Sequence, residues 1–446
     1  MADVPETQYA TTEDGVSIAY QTVGDGPVDL VLELSDWGNV EIMWELDALA
    51  DLFHRLSEFS RLVLYDWRAT GLSGGVSFPN LDTRSGDLLA VLDTIRSSRA
   101  VLFGERTTGA ALAVFAASYP SRVASLVWNR AVATVRWSPE YPWGSTPDER
   151  REEAAWVRAG MGTMELSRAW LESGAPSLAG DLQLEAQMAR HDRHFMAPST
   201  AAEWMQVESE TDVTAVLPLL RCRTLVLDYE QSPTAAAQSR YVQAKIPGAQ
   251  LALIPGDPYG LPFGDRSQIV EAVKAFVGRE SADEAPETVL GTVLFTDIVG
   301  STERQAMAGD QAWAEVVRRH HAIVRDALER WQGTENDTAG DGFYATFDGP
   351  ARAVHCALDI VDRVSEIGIE IRAGVHTGEC TVVDGKRAGL AVTIGSRIAG
   401  LAGPRDVLVS RTVKDLTAGS GFSFEDRGER ELKGVPDRWQ VYRVGA

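Results

Sequence analysis

Two short acidic motifs carry the residues with the clearest chemistry. The first, Phe295–Ile298, ends an apolar stretch and contains Asp297, and the second, Gly340–Gly342, reads as a tight hairpin tip that presents Asp341. Two carboxylates on adjacent strand ends, next to a phosphate-binding turn, can hold two hard divalent cations about 3.5–4 Å apart. We therefore expect a two-metal site built on Asp297 and Asp341.

The residues that follow Asp297 are suited to bind phosphate. The chain turns through Gly300 into a helix that begins near Ser301 or Thr302. The backbone N–H groups at the start of a helix have no partner within the helix, and they attract anions. We expect Gly300, Ser301 and Thr302 to contact the phosphates of a bound nucleotide.

The elements that position these motifs follow from the apolar patterning of the second part of the chain. Their order indicates an α+β sandwich of the ferredoxin-like type. The predicted elements are a strand at Gly291–Ile298, a long helix near Glu303–Trp331, hairpin strands at Glu335–Asp337 and Gly342–Phe347, a helix near Ala351–Glu366, a strand at Ile369–His376, a helix near Val392–Ala402 and short strands to the end.

Residues 287–444 resemble the catalytic domain of class III nucleotidyl cyclases, which form cyclic AMP or cyclic GMP. The two acidic motifs carry the resemblance, together with the stretches Ile371–Gly378, Gly395–Gly400 and Gly428–Pro436. The resemblance implies that the 3′-hydroxyl of a nucleoside triphosphate attacks its own α-phosphorus and that pyrophosphate leaves.

The resemblance also assigns roles to single residues. It implies that Asp297, Asp341 and the backbone carbonyl of Ile298 bind two divalent cations, Mg²⁺ or Mn²⁺. Arg397 matches the arginine that stabilises charge growing on the α-phosphoryl group, a task suited to its fork of donors. Lys433 matches a lysine that contacts the triphosphate.

Three positions depart from the cyclase pattern. Asp337 and Lys386 stand where the purine-reading Lys and Asp are usual, and Thr393 replaces the ribose-orienting Asn. A carboxylate at position 337 accepts from the 6-amino group of adenine but repels the O6 acceptor of guanine, which favours ATP over GTP. Losing one transition-state contact costs about 10²–10³ in turnover, so we expect a slow adenylate cyclase. The alternative is a degenerate module that binds nucleotide or another small ligand without turnover.

The resemblance implies that the site is shared between two chains. In such cyclases the metal-binding aspartates come from one chain, and Arg397, Thr393 and the purine-reading residues come from its partner. We expect a head-to-tail homodimer with two equivalent sites, formed through the cyclase-like domain.

The first part of the chain alternates short apolar runs with amphipathic segments. This alternation predicts an α/β fold, a doubly wound and mostly parallel sheet that is covered on both faces. Residues 145–215 interrupt the rhythm and predict a helical cap. The predicted strands are Val28–Leu34, Arg61–Tyr65, Ala100–Phe103, Val123–Val127 and Thr224–Leu227, with helices at Leu81–Ile95 and Thr107–Tyr119.

Residues 9–277 resemble the α/β-hydrolase family, but the family's catalytic residues are replaced. In Gly104–Gly109, Arg106 occupies the position of the nucleophilic Ser, and Tyr259 stands where the catalytic His is expected. A guanidinium stays protonated and cannot attack an acyl carbon. We expect a non-hydrolytic regulatory domain, with the hypothesis that Arg106 binds an anionic small molecule or else pairs with an acid such as Glu105.

Composition and charge limit the partners and the organisation. The chain of 446 residues has 42 basic and 64 acidic residues, a net charge of −22, which disfavours binding to nucleic acid and to anionic membranes. Three scattered cysteines and the lack of a signal sequence or an apolar span favour the cytoplasm. We predict domains at residues 1–278 and 289–446, joined by a polar linker at 279–288.

Two histidine pairs are not expected to form a metal site or a catalytic site. His191 and His194 are separated by three positions on a predicted helix, which favours a solvated face over a metal site because no third ligand is evident. His320 and His321 are adjacent in the long helix, and we expect them not to share a face or to act in catalysis.

Overall fold

The computed structural model describes residues 4–34, 37–230, 233–255, 261, 263, 265–278, 288–383 and 386–445. It divides into two compact units, residues 1–286 and 287–446. The predicted linker lies outside the described residues, except for Thr288, which begins a strand. Among the described helices, none combines the length and the apolar character that crossing a bilayer requires.

The N-terminal unit is built on one eight-stranded sheet. Its strand order is β1-β2-β4-β3-β5-β6-β7-β8, in which β3 to β8 run parallel and β1 and β2 are antiparallel additions at one edge. The strands are β1 (Gln8–Thr11), β2 (Ser17–Val23), β3 (Asp29–Glu33), β4 (Arg61–Tyr65), β5 (Ala100–Glu105), β6 (Val123–Asn129), β7 (Arg223–Tyr229) and β8 (Gln250–Ile254).

Nine helices of this unit are described, and four of them lie within residues 145–215, where a helical cap is predicted. They are α1 (Asp47–Ser57), α2 (Leu81–Thr94), α3 (Arg106–Ser118), the cap helices α4 (Pro147–Gly160), α5 (Met164–Gly174), α6 (Leu182–Phe195) and α7 (Pro198–Glu210), then α8 (Pro233–Lys245) and α9 (Arg266–Val277). Strands β3, β4 and β5 in the middle of the sheet are buried along most or all of their length, as expected for strands covered on both faces. The predicted α/β architecture is confirmed.

The C-terminal unit also has one central sheet, of order β10-β11-β9-β12-β14-β16-β15, with β13 paired to β12. The strands are β9 (Thr288–Ile298), β10 (Thr334–Ala339), β11 (Gly342–Phe347), β12 (Ile371–Val383), β13 (Lys386–Ala388), β14 (Val407–Ser410), β15 (Ser423–Glu431) and β16 (Arg438–Gly445). The helices are α10 (Ser301–Ala308), α11 (Asp310–Arg330), α12 (Pro350–Ser365), α13 (Leu390–Leu401) and α14 (Arg411–Leu416).

The predicted long helix near 303–331 is two helices. Gly309 separates α10 from α11 and has a φ of 78°, a left-handed conformation that a helix interior does not accept. The other predicted elements of this unit are present, and strands alternate with helices as expected for an α+β sandwich. Apolar residues of α11 and α12 pack on one face of the sheet to form the main core.

Candidate functional site

The end of β9 and the tip of the β10–β11 hairpin lie side by side in the sheet. Strands β11 and β9 are antiparallel, and Phe343 on β11 pairs with Thr296 on β9. Continuing this register by one residue places Gly342 opposite Asp297. Gly340 and Asp341 form the two-residue turn that joins β10 to β11. Neighbouring strands are about 4.8 Å apart, so both aspartates stand at the same edge of the sheet.

The donor groups at this edge fit divalent cations. The side-chain Oδ2 atom of Asp341 is buried and has no hydrogen-bond partner in the part of the chain that the structure describes, an arrangement that costs free energy unless a cation satisfies it. The Asp297 side chain is 37% exposed, which leaves access from solvent. Two carboxylates and a backbone carbonyl are the hard oxygen ligands that Mg²⁺ and Mn²⁺ prefer. Within the described ranges, no larger cluster of acidic, His or Cys ligands occurs.

Asp297 has a basic neighbour that sequence reasoning did not identify. Arg372 on β12 is registered directly opposite Asp297. Its Nε and Nη2 atoms both donate to Asp297 Oδ2, at 3.0 and 2.5 Å. Arg372 lies in a stretch that carries the cyclase resemblance, but only the register between β9 and β12 reveals its contact.

The turn after Asp297 has the expected geometry for an anion site. Gly300 has a φ of 66°, a left-handed conformation that favours glycine, and it precedes the first residue of α10. Of the side chains that the structure describes, none caps the start of this helix, so backbone N–H groups near Ser301 and Thr302 are available to a ligand. The Val299 N–H, which donates to the Glu370 carbonyl at 2.9 Å, anchors the turn to the chain before β12.

The structure brings Arg397 and Lys433 together. Arg397 is exposed on α13, and its Nε donates to the backbone carbonyl of Lys433 at 3.1 Å. Thr393 lies one helical turn earlier and is half-buried. Leu390 and Leu401 are 49% and 44% exposed, and their spacing from Arg397 places all three on one stripe of α13.

The segments of the two purine-reading positions approach each other. Asp337 on β10 is exposed and is registered opposite Tyr344 on β11. The Tyr344 hydroxyl donates to the backbone carbonyl of Arg387 at 2.6 Å, one residue beyond Lys386. The side chain of Lys386 lies outside the described part of the chain, so an Asp337–Lys386 ion pair remains a prediction.

His320 and His321 are adjacent in α11 and differ in burial, and His321 is half-buried. Both rings contact Phe343, with centroid distances of 5.7 and 5.0 Å. His320 is fully buried, and burial lowers its pKa to about 4. His321 Nε2 is 3.1 Å from the Gly340 carbonyl, so α11 contacts the hairpin that presents Asp341. Sequence spacing along one helix gave no sign of this contact.

His376 on β12 is a buried histidine whose burial predicts how the stability of the protein depends on pH. It is 3% exposed, its Nδ1 lies 2.8 Å from the Ser410 hydroxyl, and burial lowers its pKa to about 3. An unfolded chain protonates this imidazole below about pH 6.5, whereas the folded chain does not. We therefore expect the free energy of unfolding to fall as the pH drops below 6.5, by about 3 kcal/mol from this residue at pH 4.

The matched variant is His376→Asn, which keeps a polar partner for Ser410 and does not titrate. Denaturant unfolding between pH 7.5 and 4 should show a shallower loss of stability for the variant than for the unaltered protein. Equal slopes would contradict the prediction.

In the N-terminal unit, Arg106 occupies a strand-to-helix elbow. It follows β5 directly, begins α3 and has a φ of 48°, the strained conformation expected at a nucleophile position. The Trp128 indole donates to the Arg106 carbonyl at 2.7 Å. Glu105 is buried and accepts from the Asn129 amide and the Leu261 N–H. Tyr259, the position of the family's catalytic base, lies outside the described residues.

Two cavities in this unit are small, each with room for about one water molecule. One is lined by residues that include Trp37, Asp66 and Phe195, and the other by residues that include Arg84 and Glu208. Arg106 lines neither cavity. The hypothesis of an anion held by Arg106 therefore gains no support from these cavities, and it stays a prediction.

The interpretation of His191 as a solvated cap residue is wrong. It is 4% exposed, and its Nε2 lies 3.1 Å from the Gly38 nitrogen and 2.9 Å from the Gly38 oxygen. Its ring contacts Trp37 and Phe195. His191 thus anchors α6 to the loop after β3, whereas His194 is exposed.

Comparison with known proteins finds a match for the C-terminal unit. Residues 284–445 match the family model of the adenylate and guanylate cyclase catalytic domain. Similar curated proteins include a pH-sensitive adenylate cyclase of Mycobacterium tuberculosis (29% identity over 161 residues) and uncharacterized proteins of M. tuberculosis (30% over 156 residues) and Rhizobium meliloti (27% over 175 residues). Each alignment covers 34% of this chain and, in the same order, 40%, 54% and 17% of the relative. The chain therefore spans about half or less of these relatives.

Solved structures are similar to the N-terminal unit in fold. An esterase from Exiguobacterium antarcticum aligns with a TM-score of 0.53 and 17% identity, over 61% of this chain and all of the esterase. An esterase from Thermogutta terrifontis aligns with a TM-score of 0.51 and 20% identity, over 61% of this chain and 98% of the esterase. The unit has an α/β-hydrolase fold, and at these identities the similarity extends to the fold alone.

Proposed function

We propose that this protein, whose C-terminal unit carries a class III cyclase catalytic domain, converts ATP into cyclic AMP and pyrophosphate. The observation that supports the proposal is that Asp297 and Asp341 lie side by side at the ends of neighbouring strands, with a buried Asp341 oxygen that has no hydrogen-bond partner among the described residues. A pair of divalent ions there would activate the 3′-hydroxyl and neutralise the phosphates.

The chain's own residues bind and orient the nucleotide. Asp297, Asp341 and the Ile298 carbonyl would hold the ions, and the turn at Gly300 directs helix N–H groups at the phosphate chain. Arg397 stays protonated and places a fork of donors against charge that develops on the α-phosphoryl group. Lys433, whose carbonyl Arg397 contacts, contributes a second positive charge for the triphosphate.

The proposed active unit is a homodimer. Arg397, Leu390 and Leu401 form an exposed stripe on α13, and burial of these leucines against a partner would stabilise association. The stripe would present Arg397 to the aspartates of the second chain. Two copies arranged head to tail then give two equivalent sites.

ATP is favoured over GTP because of Asp337. An exposed carboxylate at this position can accept a hydrogen bond from the 6-amino group of adenine, whereas guanine offers an oxygen there. Thr393 offers a single hydroxyl in place of an amide, so turnover is expected to be slow, about 10²–10³ below that of a complete site.

One assay tests the proposed function. Purified protein incubated with ATP or GTP and with Mn²⁺ or Mg²⁺ should form cyclic AMP faster than cyclic GMP, as measured by liquid chromatography. Formation of neither product by folded, dimeric protein would leave nucleotide binding without turnover as the better description.

The N-terminal unit is proposed to be regulatory and non-hydrolytic. Arg106 at the elbow cannot serve as a nucleophile. The combination of this unit with a cyclase unit favours a signalling role in the cytoplasm. A small molecule that binds the N-terminal unit would then control the formation of cyclic nucleotide.

A further inference from the structure

Tyr344 lies next to a purine-reading position on one face of the C-terminal sheet. Across the strands, Asp337 on β10 pairs with Tyr344 on β11, and Tyr344 pairs with Phe295 on β9. Residues directly opposite each other on neighbouring strands share a face of the sheet, so these three side chains form a row. The rings of Tyr344 and Phe295 are stacked, with centroids 4.8 Å apart and an angle of 5° between their planes.

A β-bulge in β10 places Asp337 on the same face as Tyr344. The strand pairing shifts by one residue between positions 335 and 337, so that Asn336 is an extra residue in β10. The Asn336 amide donates to the hydroxyl of Thr346 on β11 at 2.6 Å, which holds the bulge in place. Without the extra residue, position 336 instead of position 337 would lie opposite Tyr344.

Tyr344 and Arg387 together tie β13 to β11. The Tyr344 hydroxyl donates to the backbone carbonyl of Arg387 at 2.6 Å, and burial raises the pKa of Tyr344 to about 12, so the hydroxyl stays protonated. In return, the Arg387 guanidinium donates to the Phe347 carbonyl at 2.5 Å and pairs with Asp348. The backbone segment that contains Lys386 is therefore held close to β11 by bonds in both directions.

We propose that Tyr344 is a positioning residue for purine selection, which sets the spacing between Asp337 and the β13 segment that carries Lys386. This inference rests on the proposed function, since it concerns which purine the same site accepts. Two groups that read one flat base must be held at one separation, because hydrogen bonds weaken steeply as their geometry departs from the optimum. Tyr344 contacts both elements, through its place opposite Asp337 and through its bond to the residue after Lys386.

Tyr344→Phe tests this role, because it removes the hydroxyl and keeps the ring. The probes are 3′-deoxy-ATP and 3′-deoxy-GTP with Mn²⁺, which lack the attacking hydroxyl, so that binding is measured without turnover. We expect titration calorimetry to show that the preference for the adenine nucleotide falls about fivefold, the effect of one ordinary hydrogen bond. The ratio of kcat/KM for ATP to that for GTP should fall by the same factor, through a higher KM for ATP.

A merely structural role predicts a different result. General damage to the fold would weaken 3′-deoxy-ATP, 3′-deoxy-GTP and inorganic triphosphate alike. A change in purine spacing alone leaves the Mn²⁺-dependent affinity for inorganic triphosphate unchanged, because Tyr344 does not hold the phosphates. Tyr442→Phe is the matched control, since Tyr442 on β16 packs against the main core formed with α11 and α12. It should keep the purine preference within about twofold.

Arg387→Met provides a second, independent variant. It removes the guanidinium that bonds Phe347 and Asp348 and keeps an unbranched apolar side chain. The preference for the adenine nucleotide should fall here as well. The double variant with Tyr344→Phe should lose little more than the more affected single variant, because both changes release the same segment.

The outcomes separate this inference from the proposed function. An unchanged preference in Tyr344→Phe, or equal losses for both purine nucleotides, would overturn the role of Tyr344 alone, provided that the preference of the unaltered protein depends on Asp337. Equal binding of both analogues by the unaltered protein would overturn purine reading by Asp337 together with the role of Tyr344. Binding of neither analogue would overturn the role of Tyr344 and the proposed function.

Discussion

Asp341→Asn is expected to lower cyclic nucleotide formation at least about 10³-fold. The amide has the size of the carboxylate but no charge, and it presents one oxygen in place of two. Because Oδ2 of Asp341 has no hydrogen-bond partner among the described residues, we expect this oxygen to contribute to cation binding more than to the stability of the hairpin. The measurement is the initial rate of cyclic AMP formation from ATP with saturating Mn²⁺.

Stability provides the decisive control. Asp341 is half-buried, and its buried Oδ2 atom has no hydrogen-bond partner within the described ranges. Its replacement by Asn should therefore leave the melting temperature unchanged or raise it, so that activity is lost without loss of fold. Asp362→Asn on α12, where the side chain is 77% exposed, makes the same chemical change on the surface and should keep the rate within about twofold. An Asp341→Asn protein that retains a tenth or more of the activity would contradict the metal-binding role.

The local geometry of the metal motifs could be predicted from the sequence. An apolar run that ends in Asp297, a glycine at position 300 and a Gly-Asp-Gly tip each specify a turn within a few residues. The structure has β9, the left-handed Gly300 and the two-residue turn at Gly340 and Asp341 where these patterns place them. The backbone preferences of a few neighbouring residues were therefore sufficient to predict the turns in this part of the site.

Contacts across strands could not be predicted in the same way. Arg372 meets Asp297 only because β12 pairs with β9 in one register, over a separation of 75 residues. A shift of one residue would turn Arg372 to the opposite face of the sheet. His321 likewise reaches the Gly340 carbonyl through the packing of α11 on the hairpin, which no spacing along the helix encodes.

In the N-terminal unit, too, a local turn could be predicted from the sequence and a long-range contact could not. The elbow at Arg106 follows from a strand, a glycine-bounded turn and an apolar helix, and the structure has it. The burial of His191 depends on how α6 packs on Gly38 and Trp37, more than 150 positions earlier, so a polar helix pattern was misleading there. Cap helices bury their polar side chains against loops, where hydrophobic periodicity gives little guidance.

The surface of α13 bears on whether one chain can complete the site. Arg397 lies on an exposed stripe between Leu390 and Leu401, and its Nε bonds the Lys433 carbonyl. Burial of these two leucines against a partner would stabilise an association through α13. This arrangement is expected if Arg397 serves the aspartates of another copy.

Mixing Asp297→Ala with Arg397→Ala should therefore restore activity that neither variant has alone. Random re-association of equal amounts gives about half heterodimers, and each heterodimer has one intact site and one site with both defects. The expected rate is about a quarter of that of the unaltered protein. A mixture of Asp297→Ala with Asp341→Ala serves as the matched control and should stay inactive, because both changes fall in the same half of the site. An inactive first mixture, in which mass spectrometry detects the heterodimers, would show that each chain builds its site alone.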